Sequence, residues 1–424
     1  MNAAFRRALG ASAASNLGDG VRGAALPLVA ASLTRDPLAF SAVAVAGSLP
    51  WLLLSLPAGA VLDRVDRVRA MAVAAAWRAA AVGLLGAAVA TGRAGVPLLV
   101  AVALLLGAGE VLFDNAAQTL VPALVPRADL ERANGRLYAV EITANSFAGP
   151  PLGGALFVAA AAVPLLVDAG LLAVAALLLV GLGGHVRRAA PDRSDGLGAA
   201  AAVAATSAPR EPLRVAIATG VRWLRGHRLL RTLAVLLAVM NGTASMGMAT
   251  FGLFVLGEGS VLGLGPVAFS VLLTSGAVGS LLGSLVAARV VRRAGRLRVL
   301  WSTLIASAGT SLAVGLSRGP VAVGLALAAM GLTGVAWNVV TVSLRQTIIP
   351  DELLGRVNSV YRFLGWGSIP VGGALGGVVA DVAGLRAPWV AAAAVSALAL
   401  IPAARVLRGD VLDAALAGGS AGAV

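Results

Sequence analysis

Apolar runs recur along the whole chain, broken by short polar segments, and each is about 20 residues long, enough to cross hydrocarbon at about 1.5 Å rise per residue. The pattern predicts transmembrane helices at 8–33, 40–62, 70–91, 97–121, 135–158 and 163–184, then at 229–256, 266–288, 299–317, 320–345, 357–380 and 387–406. The expected fold class is therefore an all-α membrane protein with twelve transmembrane helices in two six-helix bundles. The expected divisions are a first bundle over 1–186, a central linker over 187–228, a second bundle over 229–406 and a tail over 407–424.

The polar break at the middle has two parts. Pro191 to Pro212 has the Ser, Gly and Ala content of a flexible linker. From Leu213 to Leu230, Arg214, Arg222, Arg225 and Arg228 alternate with Val215, Ile217, Val221, Trp223 and Leu224. That alternation reads either as an amphipathic helix on an anionic leaflet or as a solvated linker helix. The N-terminal stretch resembles a secretory leader, but Asn16, Asp19 and Arg22 interrupt its apolar run, so it is read as a retained first span.

Composition changes the picture in three ways. At 59% hydrophobic and 12% charged, the 424 residues hold more apolar surface than one soluble core needs. The absence of cysteine excludes disulfides, and His185 and His227 have no ligand-like spacing, so no cofactor or metal is expected. All 33 basic residues are arginine, and with the N-terminus inside, 27 of them fall in cytoplasmic segments and only Arg35, Arg93, Arg318 and Arg386 outside. Both termini are thus expected in the cytoplasm, and the +14 charge is explained by topology without a nucleic-acid partner.

Landmarks repeat at an almost constant offset: Asn16 with Asn241 at 225, Gly59 with Gly283 at 224, and Arg132-x-Asn134 with Arg356-x-Asn358 at 224. Gly149-Pro150-Pro151-Leu152-Gly153-Gly154 answers to Gly372-Gly373-Ala374-Leu375-Gly376-Gly377 at 223. Four landmarks in register imply a duplicated six-helix unit, an arrangement that places a substrate site between the halves near mid-membrane.

On these residues the chain resembles the major facilitator superfamily. Gly59-Ala60-Val61-Leu62-Asp63-Arg64-Val65-Asp66-Arg67-Val68-Arg69 is similar to that superfamily's loop between helices two and three, departing at Val61, Asp66 and Val68. The resemblance implies a gate latch built on Gly59, Asp63, Arg64 and Arg67; alternatively the arginines only enforce topology. The Gly149, Pro150, Gly153 and Gly154 pattern resembles the motif of the superfamily's antiporters, with Asn145 where a glycine is usual. Those glycines suit either a hinge or close packing alone. Pro126 to Asn134 and Gly220 to Arg231 are similar to the branch of macrolide-efflux and enterobactin-exporter-like proteins.

A charge at the centre of a span costs about 3 kcal/mol, so such residues face a bundle interior or a wet cavity. Helix one carries Asn16, Asp19 and Arg22 on one face, helix four Glu110, Asp114 and Gln118, and helix five Glu141 and Asn145. Protonatable groups so placed suit proton coupling or substrate contact. The competing reading pairs Asp19 with Arg22, and Glu110, Asp114 or Glu141 with Arg78. Asp168 and Asp381 are expected at solvated helix ends.

Asn16, Asn241, Trp337, Asn338, Arg362 and Trp366 are further candidates to line a cavity, with interface anchoring as the alternative for the tryptophans. The resemblance implies a monomeric, proton-coupled exporter of a small amphipathic molecule in a bacterial inner membrane. A carrier importing solutes or moving lipid, and a non-transporting sensor or scaffold, are the other readings. With no lysine there is no phosphate-binding loop of the Gly-Lys-Ser type, and an enzyme is not expected.

Overall fold

The computed structural model describes residues 3–62, 65–126, 129–189 and 213–421. Among the described residues ten helices are long and apolar enough to cross a membrane. Two more long helical stretches complete the expected twelve. The first is α1 (Ala3–Leu33), whose apolar run is diluted by Asn16, Asp19 and Arg22. The other begins as α5 (Leu130–Glu141), passes through a π-helical stretch, Ile142–Ala148, and continues as α6 (Gly149–Ala159).

That stretch is one helix in the sequence reading. Its π turn has a local cause: Pro150 and Pro151 lack the amide hydrogens that would bond the carbonyls four residues back. The Gly149 amide reaches five residues back instead, to the Ala144 carbonyl.

The rest of the N-terminal half is α2 (Pro37–Leu62), α3 (Arg67–Ala90), α4 (Val96–Leu124) and α7 (Val163–Ala189). After α8 (Leu213–Gly226) come α9 (Arg228–Met248), a short α10 (Phe251–Val255), α11 (Pro266–Ala294), α12 (Arg296–Leu316), α13 (Pro320–Ile348), α14 (Asp351–Ala383), α15 (Ala387–Ala404) and α16 (Gly409–Ala421). Between α11 and α12 the turn is one residue, Gly295, at φ +84°, a conformation open to glycine without strain.

Alternation of the spans brings both termini and the central segment to one end of the molecule, here the linker end. The amphipathic α8 lies there against α14, with Leu224 buried and the Gly220 backbone close to the Arg356 carbonyl. The His227 imidazole caps α9, Nδ1 accepting from the Leu230 amide at 3.3 Å, and partial burial pushes its pKa below the ordinary value, keeping it a neutral acceptor. The expected tail contributes α16, whose Leu412 is buried in the C-terminal core.

The apolar core is divided unequally. At the linker end each half has its own cluster, Phe5, Met71, Phe113 and Leu179 in one, Leu230, Trp337, Leu344 and Tyr361 in the other. At the far end one cluster spans both halves, from Leu28, Phe40 and Leu99 to Phe251, Phe269 and Trp389. The halves are therefore joined at the far end.

The duplicated glycines pack helices within each half and also across that join. Gly153 of α6 and Gly376 of α14 leave just enough room for the backbones of Val21 in α1 and Met246 in α9. Gly154 sits on Ser270 of α11, and its repeat Gly377 sits on Ser41 of α2, so the same contact between halves is made twice. Toward mid-bundle Trp51 stacks on Trp366 with centroids 4.6 Å apart. At the far end Arg35 donates to the Leu256 carbonyl at 2.7 Å.

A Cβ built on Gly377 lies 2.9 Å from that of Ser41, within reach of a disulfide after slight adjustment. Cysteines introduced together at Ser41 and Gly377 of this cysteine-free chain are expected to cross-link in mild oxidant, read as a gel mobility shift reversed by reductant. Failure to cross-link in membranes would contradict the join between halves.

Candidate functional site

A cavity of about 380 Å³ lies between the halves on the far-end side of mid-bundle. From the N-terminal half Asp19, Arg22, Glu110 and Asn145 face it; from the C-terminal half come Met248, Phe251, Phe269 and Leu273. The charged groups all come from the N-terminal half, which also adds Leu26, Phe40, Val43 and Leu106, whereas the C-terminal half contributes apolar and aromatic groups. A larger hollow of about 750 Å³ lies between α3 and α7, but Val73, Leu177 and Val180 line it and are well exposed on the outer face, which places it on the lipid side.

The charged groups form a network. Arg22 Nη2 meets Asp19 Oδ1 at 2.7 Å and Glu110 Oε2 at 3.6 Å, while its Nη1 meets Asp168 Oδ2 at 3.1 Å. Arg78, fully buried in α3, pairs with the same Asp19 oxygen and donates to Ser15 at 3.4 Å. Two guanidinium groups are thus matched by Asp19 and Asp168. Glu110, about one-third exposed, is surplus, and so is Asp114 one turn along α4, half-buried and without an ion pair among the described residues.

Asp168 is a correction to the sequence reading, which placed it at a solvated end. It is fully buried because Arg22 needs a counter-charge, and α1 admits the carboxylate through Gly18: a Cβ there would collide with Asp168 Oδ1. Arg78 is likewise paired by Asp19, whereas the sequence offered Glu110, Asp114 or Glu141. Neither Asp168 nor Arg78 was counted among the site residues. The signal available for Arg78 was its position in mid-span, the same signal that singled out Arg22.

The other candidates disperse. Glu141 is exposed on α5, beyond the π stretch that carries Asn145 to the cavity. Trp337, expected to line a cavity, is 2% exposed in the C-terminal core, where its bulk is better accommodated among Leu and Val side chains. Asn16 donates to the Ser12 carbonyl on its own helix at 2.9 Å, and Asn241 ties α9 to the Gly365 carbonyl at 2.8 Å. Asn338 and Arg362 are exposed, and Trp366 is spent on the stack with Trp51.

In the loop motif, Gly59 lies in α2 and Arg67 opens α3, whereas Asp63 and Arg64 lie outside the described residues. Asp66, where the superfamily has glycine, caps α3 by accepting from the Arg69 amide at 2.9 Å. Gly149, Pro150, Gly153 and Gly154 are buried; Gly153 and Gly154 make the helix crossings described above, and Gly149 lies on the Gly20 backbone of α1.

Residues 1–415 match the model of the transmembrane secretion effector family. The chain belongs to this family. Two relatives called multidrug efflux pump Tap are similar over most of their length. That of Mycolicibacterium fortuitum is 29% identical over 402 residues, 90% of either chain. That of Mycobacterium tuberculosis is 29% identical over 390 residues, 89% of this chain and 87% of the relative.

Among solved structures, a bacterial homologue of the iron transporter ferroportin superposes with a TM-score of 0.68 at 16% identity, covering 95% of this chain and 98% of that one. The nucleoside transporter NupG gives 0.65 at 14% identity, covering 94% and 99%. The chain is accordingly a multi-pass membrane transporter of the major facilitator fold, as its motifs implied.

Removing one partner of a buried ion pair costs about 3–5 kcal/mol. Asp168→Asn is therefore expected to lower the thermal midpoint in detergent by several degrees, while Asp381→Asn, at an exposed position, leaves it unchanged. Equal midpoints for the two variants would show that Arg22 does not depend on Asp168.

Proposed function

We propose that this chain is a monomeric secondary exporter that exchanges protons for a small amphipathic molecule in the cavity between its halves. One observation carries the reading: Glu110 faces the cavity as a surplus acid after Asp19 and Asp168 have matched Arg22 and Arg78. The name shared by the relatives, multidrug efflux pump, supports export and a drug-like substrate.

Arginine placement supports an orientation with the linker end in the cytoplasm of a bacterial inner membrane. The joined far end then closes the cavity to the outside, and the state described is the one that loads from within. Exposed Glu141, Asn338 and Arg362, about ten residues from the linker end of their spans, would be costly against lipid and suit a water-filled entrance there.

The mechanism follows from the surplus charge. An unprotonated Glu110 or Asp114 holds the substrate's polar end while the apolar groups take its body. A rocking motion of the bundles 1–186 and 229–406 undoes the Gly154–Ser270 and Gly377–Ser41 contacts and the Trp51–Trp366 stack. A proton from outside neutralises the acid, displaces the substrate and permits return, and the acid then releases that proton to the cytoplasmic side before the next substrate binds. For a neutral substrate exchanged with one proton, the charge crossing about 150 mV supplies about 3.5 kcal/mol, enough for a gradient of about several hundredfold before any pH difference is added.

Purified protein in liposomes with an imposed pH gradient tests this across a compound panel. Glu110→Gln and Asp114→Asn are expected to fold, with substrate binding weakened and gradient-driven movement reduced at least tenfold in one of them. Asp19→Asn, which strips both arginines of a partner, is expected to lower stability as well. If all three variants retain gradient-driven movement, the protons do not travel by these acids.

A further inference from the structure

A second, smaller hollow of about 230 Å³ lies beside the central cavity in the C-terminal half. Met248 at the end of α9 and Leu273 of α11 line both spaces, so only these two side chains stand at the boundary where the spaces adjoin. Beyond it the slot runs between α11 and α13, walled by Leu327 and Met330 and floored by Gly276 and Gly331. These wall residues recur at helical spacing, Leu273, Gly276 and Ser280 on one helix and Leu327, Met330 and Gly331 on the other, so each helix presents one face to the slot.

The slot is apolar for a definite reason. Its one hydroxyl, Ser280, already donates to the Gly276 carbonyl at 3.0 Å and offers little to a polar ligand. The helices cross at glycine, Gly331 lying on the Gly276 carbonyl, which leaves a trough where larger residues would make a ridge. In the N-terminal half Gly107 lies on the Gly47 carbonyl in the same manner, but both glycines there line the central cavity directly, beside Glu110. The N-terminal half thus holds a charged pole, and the C-terminal half an uncharged side arm.

We propose that this slot is a subsite for a slender apolar arm of the transported molecule, whose polar head lies at Glu110 and Asp19. The inference rests on the reading of the central cavity as the substrate site. Two flexible methionines at the boundary and wall let the arm's width vary, because an unbranched thioether repacks at little cost. Molecules with a polar head but no arm bind the central cavity alone, and selectivity among substrates is set by arm length.

The test uses n-alkyltrimethylammonium ions, butyl to decyl, as probes, with binding to the full-length protein in detergent followed by tryptophan fluorescence. For the wild type, affinity is expected to rise about fourfold per methylene until the slot is filled, then level off. Met330→Trp, which fills the slot, is expected to bind the butyl ion as the wild type does but to level off at a shorter chain. Partition into detergent is common to both proteins and cancels in the comparison. A Met330→Trp series parallel to the wild-type series would overturn the side arm while leaving the central site intact. No binding of any probe to the wild type would overturn the central site and the arm with it.

Discussion

Two guanidinium groups enclosed in an apolar helix bundle set the terms for the N-terminal half. Arg78 is fully buried and Arg22 nearly so, and a lone buried cation is too costly to keep. Carboxylates must therefore converge from neighbouring helices, and Asp19 of α1 and Asp168 of α7 do so. This requirement draws α1, α3 and α7 together, makes glycine necessary at position 18, and leaves Glu110 as an acid whose counter-charge is already taken.

Small residues meet the second requirement, that helices approach closely and still separate. Within each half Gly149 and Gly153, or Gly372 and Gly376, let the helix lie on a neighbouring backbone. Between halves Gly154 on Ser270 and Gly377 on Ser41 form shallow contacts without interlocking side chains. Such a surface loses little packing energy per residue when it parts. The arrangement links the packing of the far end to the opening that a transport cycle needs.

Much of the architecture was legible from the chain. Span length and the repeat of Gly149–Gly154 at Gly372–Gly377 are local or periodic features, and membrane solvent leaves few ways to satisfy them. The candidate site was legible in part: Asp19, Arg22, Glu110 and Asn145 do reach one cavity. Asp168 was misjudged because its distance from a span end looked like proximity to water, whereas its environment depends on Arg22, 146 residues away. Trp337 was misjudged for the opposite reason, since a large amphipathic ring suits a pocket or a core equally well until its neighbours are known.

Read alone, the chain was sufficient to establish a doubled helical membrane bundle and the acids that had to avoid lipid, because the energetic cost of hydrocarbon acts on each span separately. Which acid meets which arginine, where the π turn steers Asn145, which end of the halves is joined, and that a side slot lies at Met248 are properties of helices in contact. They depend on rotation and tilt of one span against another, and the spacing of residues within a span carries no record of either.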